Sequence, residues 1–157
     1  MHLYLILILL VPAFIFSVIS VWNSLTRKKA LTLDLTDPDS WIRRETLWQL
    51  APTEIPDMMM GDPDWRVRIE VAKRVDLRRL HKMMKDKDWG VRRMVARRID
   101  PSRLHEMVGD PNVEVRWEVA MRIPCRHLTN MLMREADQVT RLILQGRISR
   151  VIVANRS

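Results

Sequence analysis

The chain has 157 residues, with 27 Lys plus Arg against 19 Asp plus Glu and a net charge of +8. That length suits one domain plus a membrane segment. The single cysteine, Cys125, excludes a disulfide framework and a four-cysteine zinc or iron–sulfur site, and four histidines leave little for a metal triad. No charged side chain precedes Arg27, so the whole net charge belongs to the residues that follow.

The first predicted element is Leu3–Leu25, an uncharged run of 23 residues. At about 1.5 Å per residue, a helix of that length reaches about 34 Å, enough for a hydrocarbon core of about 30 Å. Pro12 falls inside the run, where a membrane helix tolerates proline, and Tyr4 and Trp22 stand near its ends, where amphipathic rings favour the headgroup level. A cleaved signal peptide fits less well, because no Lys or Arg precedes the run and the run is too long. The expectation is a single-pass anchor over residues 1–26 and a basic juxtamembrane linker over 27–36. Arg27-Lys28-Lys29 follow the span directly. The positive-inside rule then puts the N-terminus outside the inner (cytoplasmic) membrane and the rest in the cytoplasm.

Residues 37–157 repeat themselves. Asp37-Pro-Asp-Ser-Trp-Ile-Arg43, Asp62-Pro-Asp-Trp-Arg-Val-Arg68, Asp86-Lys-Asp-Trp-Gly-Val-Arg92 and Asp110-Pro-Asn-Val-Glu-Val-Arg116 are copies of one motif. A degenerate fifth copy begins at Glu135, successive starts lie 25, 24, 24 and 25 residues apart, and Arg stands six positions after each start. Each start is expected to be a helix N-terminus, with the first Asp as N-cap and Pro as the first helical residue. Behind it runs an apolar face of helical spacing: Val67, Val71, Val75; Val91, Val95, Ile99; Val115, Val119, Ile123. Ala72, Ala96 and Ala120 beside that face allow a neighbouring helix to approach closely. A short second segment closes each unit (Ile55 to Met59, Leu80 to Met84, Leu104 to Val108, Leu128 to Leu132), and a 3₁₀ helix or single α turn fits its length. One unit cannot bury both apolar faces, so about five stack into an all-α solenoid. The last copy breaks the pattern with Gln145 in place of the Ala and Gly146 inside the helix, as a terminal cap or partner-covered end would.

The 24-residue period with Asp-Pro-Asp-x-x-Val-Arg-x-x-Val-Ala-x-Arg, followed by Leu-x-x-Met, resembles the leucine-rich repeat variant family, itself similar to HEAT-like repeats. The resemblance covers about residues 37–153 and implies alternating α and 3₁₀ helices in two layers of a right-handed superhelix. It implies a binding scaffold and names no partner. An N-terminal cysteine-ligated iron–sulfur cluster known in the family has no counterpart among this chain's residues, so no redox role carries over.

Several columns recur with the repeat. Asp37, Asp62, Asp86 and Asp110 with Arg43, Arg68, Arg92 and Arg116 are expected to form a structural ladder between neighbouring repeats, as in HEAT-like stacks. A second column, Arg74, Arg98, Arg122 and Arg147, with Arg78, Arg79 and Arg103 in the connections, lines up as a cationic stripe. It is either a solvated face or a binding surface for an acidic protein or anionic lipid. Nucleic acid ranks below these, because no nucleic-acid-reading motif accompanies the charge. Trp41, Trp65 and Trp89 stand in the first helical turns, either packed over the preceding repeat or exposed as an interface hot spot. Met58, Met83, Met107 and Met131 read as core filler. No catalytic constellation or cofactor motif is visible.

These features point to a non-enzymatic, membrane-anchored protein–protein interaction module without a cofactor. Its expected place is as an accessory or assembly subunit on the cytoplasmic side of a membrane complex, with partner-binding residues Trp41, Trp65, Trp89, Arg74, Arg98, Arg122, Arg78, Arg79 and Arg103. The alternative is electrostatic binding of anionic lipid or nucleic acid through the basic stripe.

Overall fold

The computed structural model describes residues 35–154, and every regular element among them is helical. The expected anchor, and all of the expected linker except Leu35 and Thr36, lie outside the described residues. Among the described residues no helix is long and apolar enough to cross a membrane. The chain divides into two compact units between Gln49 and Leu50. The first contributes helix α1 (Ser40–Gln49), whose Thr46 and Leu47 are buried.

The second unit alternates 3₁₀ and α elements: η1 (Asp57–Gly61), α2 (Trp65–Arg74), η2 (Leu80–Met83), α3 (Trp89–Arg98), η3 (Pro101–Met107) and α4 (Val113–Arg122). It ends with η4 (Cys125–His127), α5 (Leu128–Arg134) and α6 (Gln138–Ala154). Neighbouring α helices pack in sequence, α2 on α3, α3 on α4 and α4 on α6, while each of η1, η2 and η3 packs on the helix that follows it. The fourth short segment lengthens into the seven-residue α5, a departure from the expected single turn.

Each helix starts two residues later than the motif predicts. Asp64, Asp88 and Asn112 are the N-caps, accepting from the N–H groups of Arg66 (2.8 Å), Val91 (3.1 Å) and Glu114 (2.9 Å). The first Asp of the motif closes a turn instead: Asp62, Asp86 and Asp110 accept from the N–H groups of residues 64 (2.8 Å), 88 (2.8 Å) and 112 (2.9 Å). The carbonyls of Asp62 and Pro63 are already taken by the Arg68 guanidinium, at 2.8 and 3.3 Å, so the proline belongs to the turn and not to the helix. Ten residues on, Val75, Ile99 and Ile123 break the helices by adopting extended backbone, without glycine.

The apolar face is the core. Its nine Val and Ile positions and Ala72, Ala96 and Ala120 are all buried, together with Leu80, Leu104 and Leu128 from the short segments. Full burial of each larger side chain contributes about 1.5–3 kcal/mol. Met83, Met107 and Met131 are buried as expected, but Met58 is 61% exposed and Met59, at 1%, takes its place. The first copy is one residue longer, so counting from its start misses the inward position by one. In α6 Thr140 and Leu144 take the inward positions, and Gln145, in the alanine position, is exposed.

Candidate interaction surface

Arginine ties the repeats together twice. In the first column, Arg68 grips Asp86 of the next repeat with Nε and Nη2 at 2.8 and 2.9 Å, and Arg92 grips Asp110 at 2.7 and 3.0 Å. Arg116 does the same to Glu135, at 2.9 and 3.1 Å. In each case Nη1 reaches back to the carbonyls that open its own repeat. These forked bonds hold the three guanidiniums above their ordinary pKa. Burial pushes the Glu135 carboxyl up, but the bonds from Arg116 and the Asp137 N–H outweigh it and leave the pKa below the ordinary value. In the first unit Arg43 donates to the carbonyls of Asp37 (2.6 Å) and Pro38 (3.1 Å), and Arg141 repeats the motif on Glu135 (2.8 Å).

The second column, expected as an open cationic stripe, has another occupation. Arg98 donates to the carbonyls of Ala72 (2.7 Å) and Val75 (3.2 Å), and Arg122 to those of Ala96 (2.5 Å) and Ile99 (3.0 Å). Arg147 reaches Ala120 at 2.8 Å, and Arg74 reaches the carbonyl of Leu50 at 2.7 Å. Arg98, Arg122 and Arg147 thus each satisfy the carbonyls that end the preceding helix, where the negative end of the dipole also favours a cation. All four are half-buried, and burial lowers the Arg98 pKa. This column is chiefly a clamp between repeats and only in part a surface.

The connection residues divide. Arg79 bonds Asp57 and the carbonyl of Ile55 (2.6 Å), and Lys82 joins it on Asp57. Those two bonds, that of Lys82 foremost, hold the Asp57 carboxyl below its ordinary pKa. Arg78 is exposed, and Arg103 bonds Glu106 at 3.0 Å. His81 and His105 each donate Nδ1–H to a carbonyl three residues earlier, at 2.8 and 2.7 Å, and His105 stacks on His127.

The tryptophans are outside the core. Trp65 and Trp89 are each 45% exposed and Trp41, in the first unit, is 64% exposed. Trp65 and Trp89 flank an open groove of about 540 Å³, floored by Ile69 and Met94 with Arg93 and Arg97 along it. Arg66 lies over the Trp65 ring at 5.2 Å. Trp117, which follows neither sequence column, belongs to the same kind of face: it occupies the repeat position of Ile69 and Arg93 and carries Arg93 over its ring at 5.8 Å. The signal for it was the i, i+4 relation between Val113 and Trp117, equivalent to Trp65 and Ile69.

No family model and no curated protein matches the chain. A solved structure does, a leucine-rich repeat variant described as having a novel repetitive protein structural motif, with 30% identity and a TM-score of 0.71. The match covers 76% of this chain and 50% of that one, so the chain spans about half the length of the protein it matches. The described residues therefore form a helical repeat fold like that of the leucine-rich repeat variant, an architecture suited to protein interaction.

Proposed function

We propose that the chain is a non-enzymatic, membrane-anchored interaction module that docks on the cytoplasmic side of a larger membrane complex as an accessory or assembly subunit. The observation that carries this reading is the pair Trp65 and Trp89, large rings left exposed beside a groove on helices that two arginine columns bond to neighbouring repeats. Rigid aromatic anchors next to arginine are the residue types that dominate protein interfaces. The apolar run Leu3–Leu25 followed by Arg27-Lys28-Lys29 supports the tether, which would raise the effective concentration of a membrane partner. An open cationic stripe as the main binding surface is weakened because Arg74, Arg98 and Arg122 each bond backbone carbonyls.

Site-directed photocrosslinking in native membranes tests the reading. A photoreactive phenylalanine at position 89 is expected to capture one membrane-complex subunit, and the same probe at the exposed position 133 is expected to leave it uncaptured. Identical products from both positions, or none from position 89, would count against it.

A further inference from the structure

A second cavity, of about 410 Å³, lies between the connections of neighbouring repeats and has a different chemistry. Arg78, Arg98, Arg103 and Arg122 converge on it with His81, and the only acid in its lining is Asp100. That carboxylate caps η3, accepting from the Ser102 N–H at 2.8 Å, and keeps its negative charge. Even with the charged Asp100 and with Glu106 paired to Arg103, the four guanidiniums leave this lining net positive, which favours entry of an anion.

Comparison between repeats shows that this concentration of charge is local. One repeat earlier, the positions of Arg78 and His81 are Glu54 and Asp57, and Asp57 neutralises Arg79 and Lys82. One repeat later, the positions of Arg78 and Arg103 are Ser102 and His127. Only between these two connections do both exchanges favour positive charge.

The four arginines also differ in their bonding. Arg98 and Arg122 are fixed walls, pinned to the carbonyls of the preceding helices. Arg103 is bonded through Nε to Glu106, and among the described residues the Arg78 guanidinium has no partner. Planar guanidinium forks match the oxygens of a phosphate group, and a site with part of its donors already fixed loses less entropy on binding.

We propose that this cavity is a binding site for a phosphate dianion, whether free or as an exposed lipid phosphomonoester, with Arg78 and Arg103 as the donors that close on it. The site is distinct from the Trp65–Trp89 groove and does not depend on the function proposed for that groove.

The test is calorimetric titration of the full-length chain, in neutral detergent at fixed ionic strength, with inorganic pyrophosphate. Wild type is expected to saturate. Arg78→Gln/Arg103→Gln is expected to weaken binding about tenfold or more, whereas the charge-matched Arg134→Gln/Arg150→Gln stays within about twofold. A wild type that shows no saturation by about 10 mM, or an equal loss in both variants, overturns the proposal. The wild-type titration decides against it even if a variant fails to fold. Reconstituting the chain, with detergent removed, into phosphatidylcholine vesicles with and without phosphatidic acid separates the sources. Vesicles that compete with pyrophosphate only when phosphatidic acid is present identify a lipid headgroup, and pyrophosphate binding that no vesicle displaces identifies a soluble phosphate.

Discussion

Removing Arg68 probes the device that joins one repeat to the next. Its guanidinium makes two bonds to Asp86, at 2.8 and 2.9 Å, and two to the carbonyls of residues 62 and 63, at 2.8 and 3.3 Å. The side chains of the pair are 3% and 6% exposed, so water does not replace the lost bonds freely. Arg68→Met keeps most of the apolar stem and leaves a buried carboxylate that retains the Asp88 N–H as a donor. Truncating one partner of such a pair costs about 3–5 kcal/mol, most of it from the stranded charge. Arg68→Met/Asp86→Asn removes that charge and keeps an oxygen to accept from the Asp88 N–H, so the double variant should recover about 2 kcal/mol relative to additivity. Urea unfolding of the full chain, followed by tryptophan fluorescence, measures both quantities. The reasoning is refuted if Arg68→Met costs less than about 1 kcal/mol at unchanged m, or if the two substitutions simply add.

Three further outcomes follow from the same geometry. Arg122→Met leaves the carbonyls of Ala96 and Ile99 without their cation and is expected to cost about 1.5–3 kcal/mol in the same unfolding assay. Met59→Ala should cost about 2–5 kcal/mol and Met58→Ala less than about 0.5 kcal/mol, since only Met59 is buried; equal losses would show that the inward register is misassigned. Glu135 has a folded pKa below its ordinary 4.5, so its stabilising contribution is present above about pH 4.5 and lost as pH falls through the folded value. Glu135→Gln should therefore flatten the acid limb of melting temperature against pH below 4.5, and an unchanged limb would contradict this assignment.

The repeat and its inward residues were legible because stacking needs the same side chain every 24 or 25 residues, as Val71, Val95 and Val119 show. The helix starts were misplaced because Asp-Pro-Asp contains two residues able to cap. Local pattern does not reveal that Arg68 takes the carbonyls of the first two, which leaves capping to the third. The second arginine column misled for a related reason. Arg98 and Arg122 look like surface charge in a helical projection, yet they meet carbonyls 23 to 26 residues earlier, a distance that periodicity does not display. The Trp65 and Trp89 column was visible, but its exposure was not, because a ring in the first helical turn can also pack over its neighbour.

Affinity purification of the tagged full-length chain from its own membranes in mild detergent, with mass spectrometry of stoichiometric companions, tests the central claim most directly. Wild type should bring down a fixed set of membrane subunits that survives moderate salt, and Trp65→Ala/Trp89→Ala should lose that set while remaining folded. A chain that purifies alone, or companions that the tryptophan variant retains and salt removes, would contradict the account.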